Sequence, residues 1–334
     1  MVPSPRFTTS ASEAAAALLA GNLVALPTET VYGLGGLAHL PAAIERIFQV
    51  KNRPTDHPLI VHIAGVEAIT DWAQEVPRSA LDLADAFWPG PLTLVVPRAP
   101  SVSDAITGGQ PTVALRAPAH PLFQDVLAEL TDPAQPAPGI AAPSANRFGQ
   151  VSPTTAEHVE AGLGPYLSPS DLILDGGACT IGVESTIVLC GDDHVRIARS
   201  GGITAEQLAG VVPVLTAQPQ SAAPRVPGSL DAHYAPSAQV AMVTTATELS
   251  AFRERNLLNS DIGVIALARD VDFAAPNWLR LATPQTSDEY AHELYSALRT
   301  ADKLGLTHVV ALAPPDEGIG TAIRDRLRRA SQSD

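Results

Sequence analysis

The stretch Leu23-Val24-Ala25-Leu26-Pro27-Thr28-Glu29-Thr30-Val31-Tyr32-Gly33-Leu34-Gly35-Gly36 passes from a predicted strand into a segment crowded with hydroxyls and glycine. A helix is predicted to begin near Pro41, so the segment reads as a turn that brings backbone N–H groups and threonine and tyrosine oxygens close to a ligand. Lys51 and Arg53 follow at the far end of that helix and supply cations suited to phosphate. Lys51 is one of only two lysines, the other being Lys303, in a chain that otherwise builds its positive charge from arginine. A solvated helix end, where basic side chains meet the negative end of the dipole, is the alternative reading of the pair.

Length and composition bound the rest. The chain has 334 residues, 46% hydrophobic and 17% charged, which is enough for two domains with real cores. A formal charge of -14 argues against broad attraction to nucleic acid or anionic membranes and favours small polar substrates. Cys179 and Cys190 form neither a disulfide framework nor the paired spacing of a zinc site, so a reducing compartment is expected. Glu13 interrupts the alanine-rich start, which therefore does not read as a signal peptide, and Gly21-Asn22 reads as a helix stop. No apolar run approaches membrane-spanning length, and a cytoplasmic protein is expected.

Residues 11 to 215 alternate helical and strand patterns. Helices are predicted over 41–50 and 78–88, and strands over 59–63, 92–96, 112–116, 140–142, 172–174 and 186–189. This pattern predicts a large twisted mixed sheet with helices packed on it, and such sheets place ligands at strand ends. From Thr216 to Ser237 the texture changes to Pro, Ala, Gln and Ser, an extended linker. Strands over 240–243, 262–266 and 308–312 then alternate with helices near 248–256 and 288–304, a small C-terminal α/β domain spanning 238–334.

Several short motifs carry polar groups to strand ends. Gly33-Leu34-Gly35-Gly36-Leu37-Ala38 formally matches a dinucleotide fingerprint, but its glycines do not sit directly between strand and helix, and the other reading is a turn needing positive φ. A Walker loop is excluded, since neither lysine follows a glycine. His62 lies within an apolar strand, where a hydrogen-bonded core histidine competes with a ligand role. Arg116 closes the strand 112–116 and suits a carboxylate or phosphate, with a structural ion pair as the alternative. Ser144 lacks a nucleophile elbow and reads as a hydrogen-bond donor, while Ser152 reads equally as the cap of a helix starting near Thr154. Gly182-Val183-Glu184-Ser185-Thr186 and Arg199-Ser200-Gly201-Gly202 add hydroxyls and an arginine at further strand ends, and the recurrence favours one polar site.

Taken in order, Pro27-Thr28-Glu29-Thr30-Val31-Tyr32-Gly33, Lys51-x-Arg53-Pro54, Trp88-Pro89-Gly90-Pro91-Leu92-Thr93, Pro143-Ser144-Ala145-Asn146 and Glu184-Ser185-Thr186 resemble the threonylcarbamoyl-AMP synthase family, with its YrdC-like fold. His233-Tyr234-Ala235-Pro236 and the terminal Gly320-x-Ala322-Ile323-x-Asp325-Arg326-Leu327 resemble its longer two-domain form, whose second domain is Rossmann-like. His57 stands where asparagine is common in the family, and Ser229-Leu230-Asp231-Ala232 replaces a Met-x-Tyr-Arg often found before the His-Tyr pair.

The resemblance implies synthesis of L-threonylcarbamoyl-AMP from L-threonine, bicarbonate or CO₂, and ATP, for threonylcarbamoyladenosine modification of tRNA. It implies that Lys51 and Arg53 are catalytic. By matching motif positions, Lys51, Arg53, His57, Thr112, Ser144, Asn146, Ser152, Arg199, His233 and Tyr234 would hold ATP, with Tyr32 a neighbour. Thr30, His62, Arg116, Ala142 and Ser185 would hold threonine. The linker would fold over the first domain's site. No protein metal site is implied, magnesium arriving with the nucleotide. Downstream tRNA threonylcarbamoyl-transferase proteins are the expected partners, and net charge disfavours direct tRNA binding. Two rivals are a structured-RNA-binding module and a carbamoyl transferase of the hydrogenase-maturation type. Charge opposes the first, and the second usually needs zinc-binding domains that the cysteine count does not supply.

Overall fold

A computed structural model describes residues 6–215, 224–228, 234–256 and 259–332. The chain divides into two units. The first comprises Met1–Phe148, Pro153–Thr180 and Glu184–Ser229; the second comprises Gly149–Ser152, Ile181–Val183 and Leu230–Asp334. The change of composition at Thr216 therefore does not coincide with the division by packing, which leaves 224–228 with the first unit.

Ten strands form the first unit's sheet: β1 (Arg6–Thr8), β2 (Val24–Leu26), β3 (Gly33–Leu37), β4 (Ile60–His62), β5 (Leu92–Pro97), β6 (Thr112–Arg116), β7 (Ile140–Ala141), β8 (Leu172–Leu174), β9 (Thr186–Cys190) and β10 (Val195–Arg199). Their spatial order is β1-β8-β2-β3-β7-β4-β6-β5-β9-β10, with parallel and antiparallel pairs mixed.

Strand alternation sorts the side chains onto two faces. On one, Ala25, Leu34, Val61, Leu94, Val96, Val113, Leu115 and Val188 pack with apolar residues of the helices Pro41–Lys51, Arg78–Phe87 and Ala156–Leu163. On the other, Val24, Leu26, Ile140, Ala142 and Leu174 are covered by the helices Ala11–Leu19 and Pro121–Leu130. Farther along this second face Ile60, Val95, Ala114 and Ile187 form a small apolar floor capped by Val226.

The glycine-rich segment differs from its sequence reading. Gly33–Leu37 is a fully buried strand rather than a turn, and none of its glycines has positive φ. The glycines are needed for close approach. A Cβ on Gly35 would stand 2.7 Å from Leu26 Cδ1 and 2.9 Å from Ile140 Cγ2, side chains of the strands on either side. The strand β1 and the helix Pro121–Leu130 are also additions to the sequence reading, and the helix expected near Thr154 begins at Ala156 with Thr155, not Ser152, as its cap.

The second unit holds four parallel strands, β11 (Gln239–Val243), β12 (Ile262–Ile265), β13 (Leu279–Ala282) and β14 (His308–Leu312), in the order β11-β14-β12-β13. The near-continuous apolar runs of β11, β12 and β14 are what a parallel sheet buried on both faces requires. With the helices Ala246–Arg255, Ser287–Lys303 and Gly320–Ala330 the strands make the small Rossmann-like domain, in which β13 was not foreseen. Among the described residues no helix is long and apolar enough to cross a membrane.

Candidate functional site

The second face of the large sheet carries polar side chains at both ends of the same strands. Because residues two apart share a face, Thr112, Ala114 and Arg116 of β6 line up, and a rise of about 3.3 Å per residue sets the first and last about 13 Å apart. Register extends both ends sideways. His62 is paired with Arg116, and Ile60 with Ala114.

At the Arg116 end the guanidinium is buried and occupied on three sides. Its Nη1 donates to Thr30 Oγ1 at 2.9 Å, its Nε donates to the Gly90 carbonyl at 3.3 Å, and its Nη2 lies 2.7 Å from Glu29 Oε1. Thr30 is itself held by a hydrogen bond between its hydroxyl and Thr28 Oγ1 at 2.8 Å. The 28–32 turn is fixed by Thr28 Oγ1, which accepts from the N–H groups of Thr30 and Val31, and by Tyr32, whose hydroxyl donates to the Gly177 carbonyl. Burial pushes the Tyr32 phenol up from its ordinary value.

His62 is buried beside this group. Burial first, and the Arg116 charge second, push its ring down to about 3, so it is neutral at pH 7. One ring nitrogen lies 3.4 Å from the Ile140 carbonyl, and the ring tilts against Phe123. Ala142 follows the end of β7, its N–H donating to the Ile60 carbonyl.

Ser185, just before β9, shares a 2.8 Å hydrogen bond with Thr93 Oγ1. Arg199 at the end of β10 donates to the Ser185 carbonyl and hydroxyl and to the Pro227 carbonyl. The structure therefore gathers Thr30 and Arg116 directly, sets His62 beside them, and binds Ser185 to Arg199.

The other end holds the lysine. Lys51 closes the helix Pro41–Lys51, where left-handed Asn52 turns the chain, and its side chain is buried rather than solvated. Its Nζ donates to the carbonyls of Ser144 and Asn146, each at 2.5 Å. Ser144 thus presents its carbonyl to Lys51, in addition to the donor hydroxyl expected from sequence. Asn146 Nδ2 donates to the Arg147 carbonyl.

Burial, with the charges of Arg53 and Arg147 behind it, holds the Lys51 ammonium well below its ordinary value. Arg53 donates to the Pro58 carbonyl at 2.9 Å and lies over the Phe148 ring, on whose edge His57 also packs. Burial and the Arg53 charge lower the His57 pKa. Lys51, Arg53, Arg147 and His57 thus lie close enough to act on one another's charge, with the Asp56 carboxylate also acting on His57.

Between the two ends runs the segment 224–228. Arg225 pairs with Asp56 and exchanges backbone hydrogen bonds with the Gln110 amide, Val226 sits on the apolar floor, and Pro227 receives Arg199.

Ser152 and Tyr234 belong to the second unit. Ser152 is buried and its carbonyl accepts from Arg299. Tyr234, in left-handed backbone, stacks on Tyr295, and the Arg326 guanidinium lies 5.1 Å from the centre of its ring. His233 lies outside the described residues. Glu29, Thr93 and the Gly90 carbonyl were not singled out by residue-level reading. Glu29 and Thr93 lay inside quoted motifs, but their partners come from distant strands.

Two family models match the chain: one described as telomere recombination over residues 16–201, and one described as threonylcarbamoyl-AMP synthase, C-terminal domain, over 203–332. The threonylcarbamoyl-AMP synthase of Bacillus subtilis is 38% identical over 328 residues, covering 96% of this chain and 92% of the relative. That of Pyrococcus abyssi is 39% identical, covering 93% and 91%. The crystal structure of P. abyssi Sua5 complexed with L-threonine superposes with a TM-score of 0.82 at 36% identity, covering 99% of this chain and 98% of the other. The chain belongs to the threonylcarbamoyl-AMP synthase family, in the form that joins a YrdC-like domain to a second α/β domain.

Proposed function

We propose that the protein is an L-threonylcarbamoyladenylate synthase, a nucleotidyltransferase that makes threonylcarbamoyl-AMP and pyrophosphate from L-threonine, bicarbonate or CO₂, and ATP. The observation that carries this reading is the burial of two polar groups at opposite ends of the same strands. Buried cations, Lys51 and Arg53, gather near one end of β4 and β6, and the Arg116–Thr30–His62 group occupies the other. Such an arrangement accommodates a polyphosphate and a small amino acid at a separation set by the strands.

In this reading Lys51 and Arg53, with His57, Thr112, Ser144 and Asn146, hold the nucleotide, and Arg116, Thr30, His62, Ala142 and Ser185 hold threonine. Arg199 acts from the Ser185 side, and the family resemblance assigns Ser152, His233 and Tyr234 to the nucleotide as well. The amine of threonine forms a bond to the carbon of CO₂ and loses a proton, giving a carbamate. A carbamate oxygen then attacks the α-phosphorus in line, and the bond to the β,γ-pyrophosphate breaks. No protein nucleophile is needed, so positioning and charge carry the rate. Burial disfavours the charge on Lys51 and an approaching phosphate favours it, so its attraction for the leaving group grows as negative charge develops there.

Among the described residues no three His, Cys, Asp or Glu side chains converge to hold a metal ion. The oxygen donors near Lys51 are neutral, and magnesium fits this site as a passenger on the ATP phosphates and water. The product would pass to tRNA-modifying proteins. Pyrophosphate release should require threonine and bicarbonate together; equal release without threonine would replace this reading with a plain ATP hydrolase.

A further inference from the structure

One face of the helix Ser287–Lys303 gathers two segments that are far apart in the chain, 149–152 and 234–238, all within the second unit. Tyr295, Arg299 and Asp302 stand at spacings of four and three, so their side chains share that face. The Tyr295 ring stacks on Tyr234, with the ring centres 5.8 Å apart. Arg299 donates to two successive carbonyls, to Val151 through Nη2 and to Ser152 through Nε, the latter at 3.3 Å. Asp302 Oδ1 accepts the N–H groups of Ser237 and Ala238 at 2.7 and 3.3 Å. The two segments also bond to each other, the Ala235 N–H donating to the Gly149 carbonyl at 3.1 Å.

These contacts over-determine a short piece of backbone. Tyr234 keeps a φ of 65°, a conformation that a tyrosine holds only where its surroundings fix it. Its ring is buried, with the Arg326 guanidinium, itself paired with Asp325, 5.1 Å from its centre. A guanidinium carries its donors in one rigid plane, so a single arginine on two successive carbonyls fixes their orientation as a lysine's rotatable ammonium would not. We propose that Arg299 is a positioning residue for the nucleotide: it holds the backbone of Ser152 against the segment 234–238, which follows His233 directly, and so keeps both in place for ATP. This rests on the reading that Ser152, His233 and Tyr234 hold the nucleotide. The substrate that depends on Arg299 is then ATP and not threonine, whose proposed ligands, Thr30, His62, Arg116, Ala142 and Ser185, all lie in the first unit.

The test follows pyrophosphate release by the full chain while ATP and threonine are varied in turn, with thermal unfolding measured beside it. Arg299→Met keeps the length and apolar stem of the side chain and removes its donors. It should raise the ATP requirement about tenfold and leave the threonine requirement within about twofold of wild type. Arg299→Lys keeps the charge but not the fork; it should raise the ATP requirement about threefold, and it carries the test should Arg299→Met fail to fold. A brace for the fold alone would lower the unfolding temperature and the active fraction, and hence kcat, with both requirements unmoved. That result, or a rise in the threonine requirement as large as that for ATP, would overturn the proposal. Ser152→Ala and Tyr234→Ala that both leave the ATP requirement at its wild-type value would instead overturn the nucleotide reading on which it rests.

Discussion

The two sheets of this protein handle polarity in opposite ways. Among the described residues, every buried polar or charged side chain except Ser152 and Arg326 lies in the first unit. The second unit's core of Leu249, Ile262, Val264, Trp278, Val310 and Leu312 contains no charge. Burying charge is expensive unless each group is bonded, so the first unit gives up packing simplicity at Lys51, Arg53, His62, Arg116 and Arg199, and the second among its described residues chiefly at Arg326, which pairs with Asp325. The contrast teaches where chemistry has shaped the sequence. On the proposed reading the first unit's buried charges serve a charged ligand, while the second unit's described core is largely apolar.

The largest expected effect separates the ends of the polar face. Lys51→Ala should lower turnover on the order of a hundredfold to a thousandfold, as the loss of a charge that stabilises the departing phosphate. Arg116→Ala should instead act mainly on threonine, raising its requirement by roughly 2 to 5 kcal/mol in steady-state kinetics. If Arg116→Ala leaves the threonine requirement untouched, the assignment of the two ends is wrong.

A variant in the apolar region sharpens the contrast from the other side. Leu249→Ala removes a side chain with no exposed surface and should lower stability by about 2 to 5 kcal/mol in denaturant titrations. Threonine and ATP requirements of the folded fraction should not move. A rise in the threonine requirement would break that division of labour between the units.

His62 gives the smallest effect and the one with a pH signature. Its ring titrates near 3 in the folded protein against an ordinary 6.5, so between those values the unfolded chain binds a proton that the folded chain does not. The stability it contributes is complete above about pH 6.5 and is lost as pH falls toward 3, at no more than about 1.4 kcal/mol per pH unit. His62→Gln should therefore show a shallower loss of stability between about pH 6.5 and about pH 5 than the wild type. Identical slopes would mean that the ring is not held neutral by burial.

Much of this was legible in the sequence, for identifiable reasons. Arg116 was read at the end of its strand and Lys51 at the end of its helix, as the structure has them, while Thr112 entered only through the family resemblance. Gly33–Leu37 was misread because glycine carries almost no local strand signal; its requirement appears only when Leu26 and Ile140 are set against it. The burial of Lys51 was equally hidden, since a basic residue at a helix end is usually solvated, and only the distant carbonyls of Ser144 and Asn146 show otherwise. Glu29 stood in the opening motif, yet nothing local distinguishes it from an exposed acid. Its partner Arg116 arrives from another strand.

Isotope tracing tests the central claim most directly. The protein incubated with ATP, L-threonine and ¹³C-bicarbonate should yield, by mass spectrometry, an adenylate containing threonine, AMP and one labelled carbon in equal proportion, with pyrophosphate as the other product. An unlabelled threonyl adenylate, or ADP and phosphate alone, would contradict it.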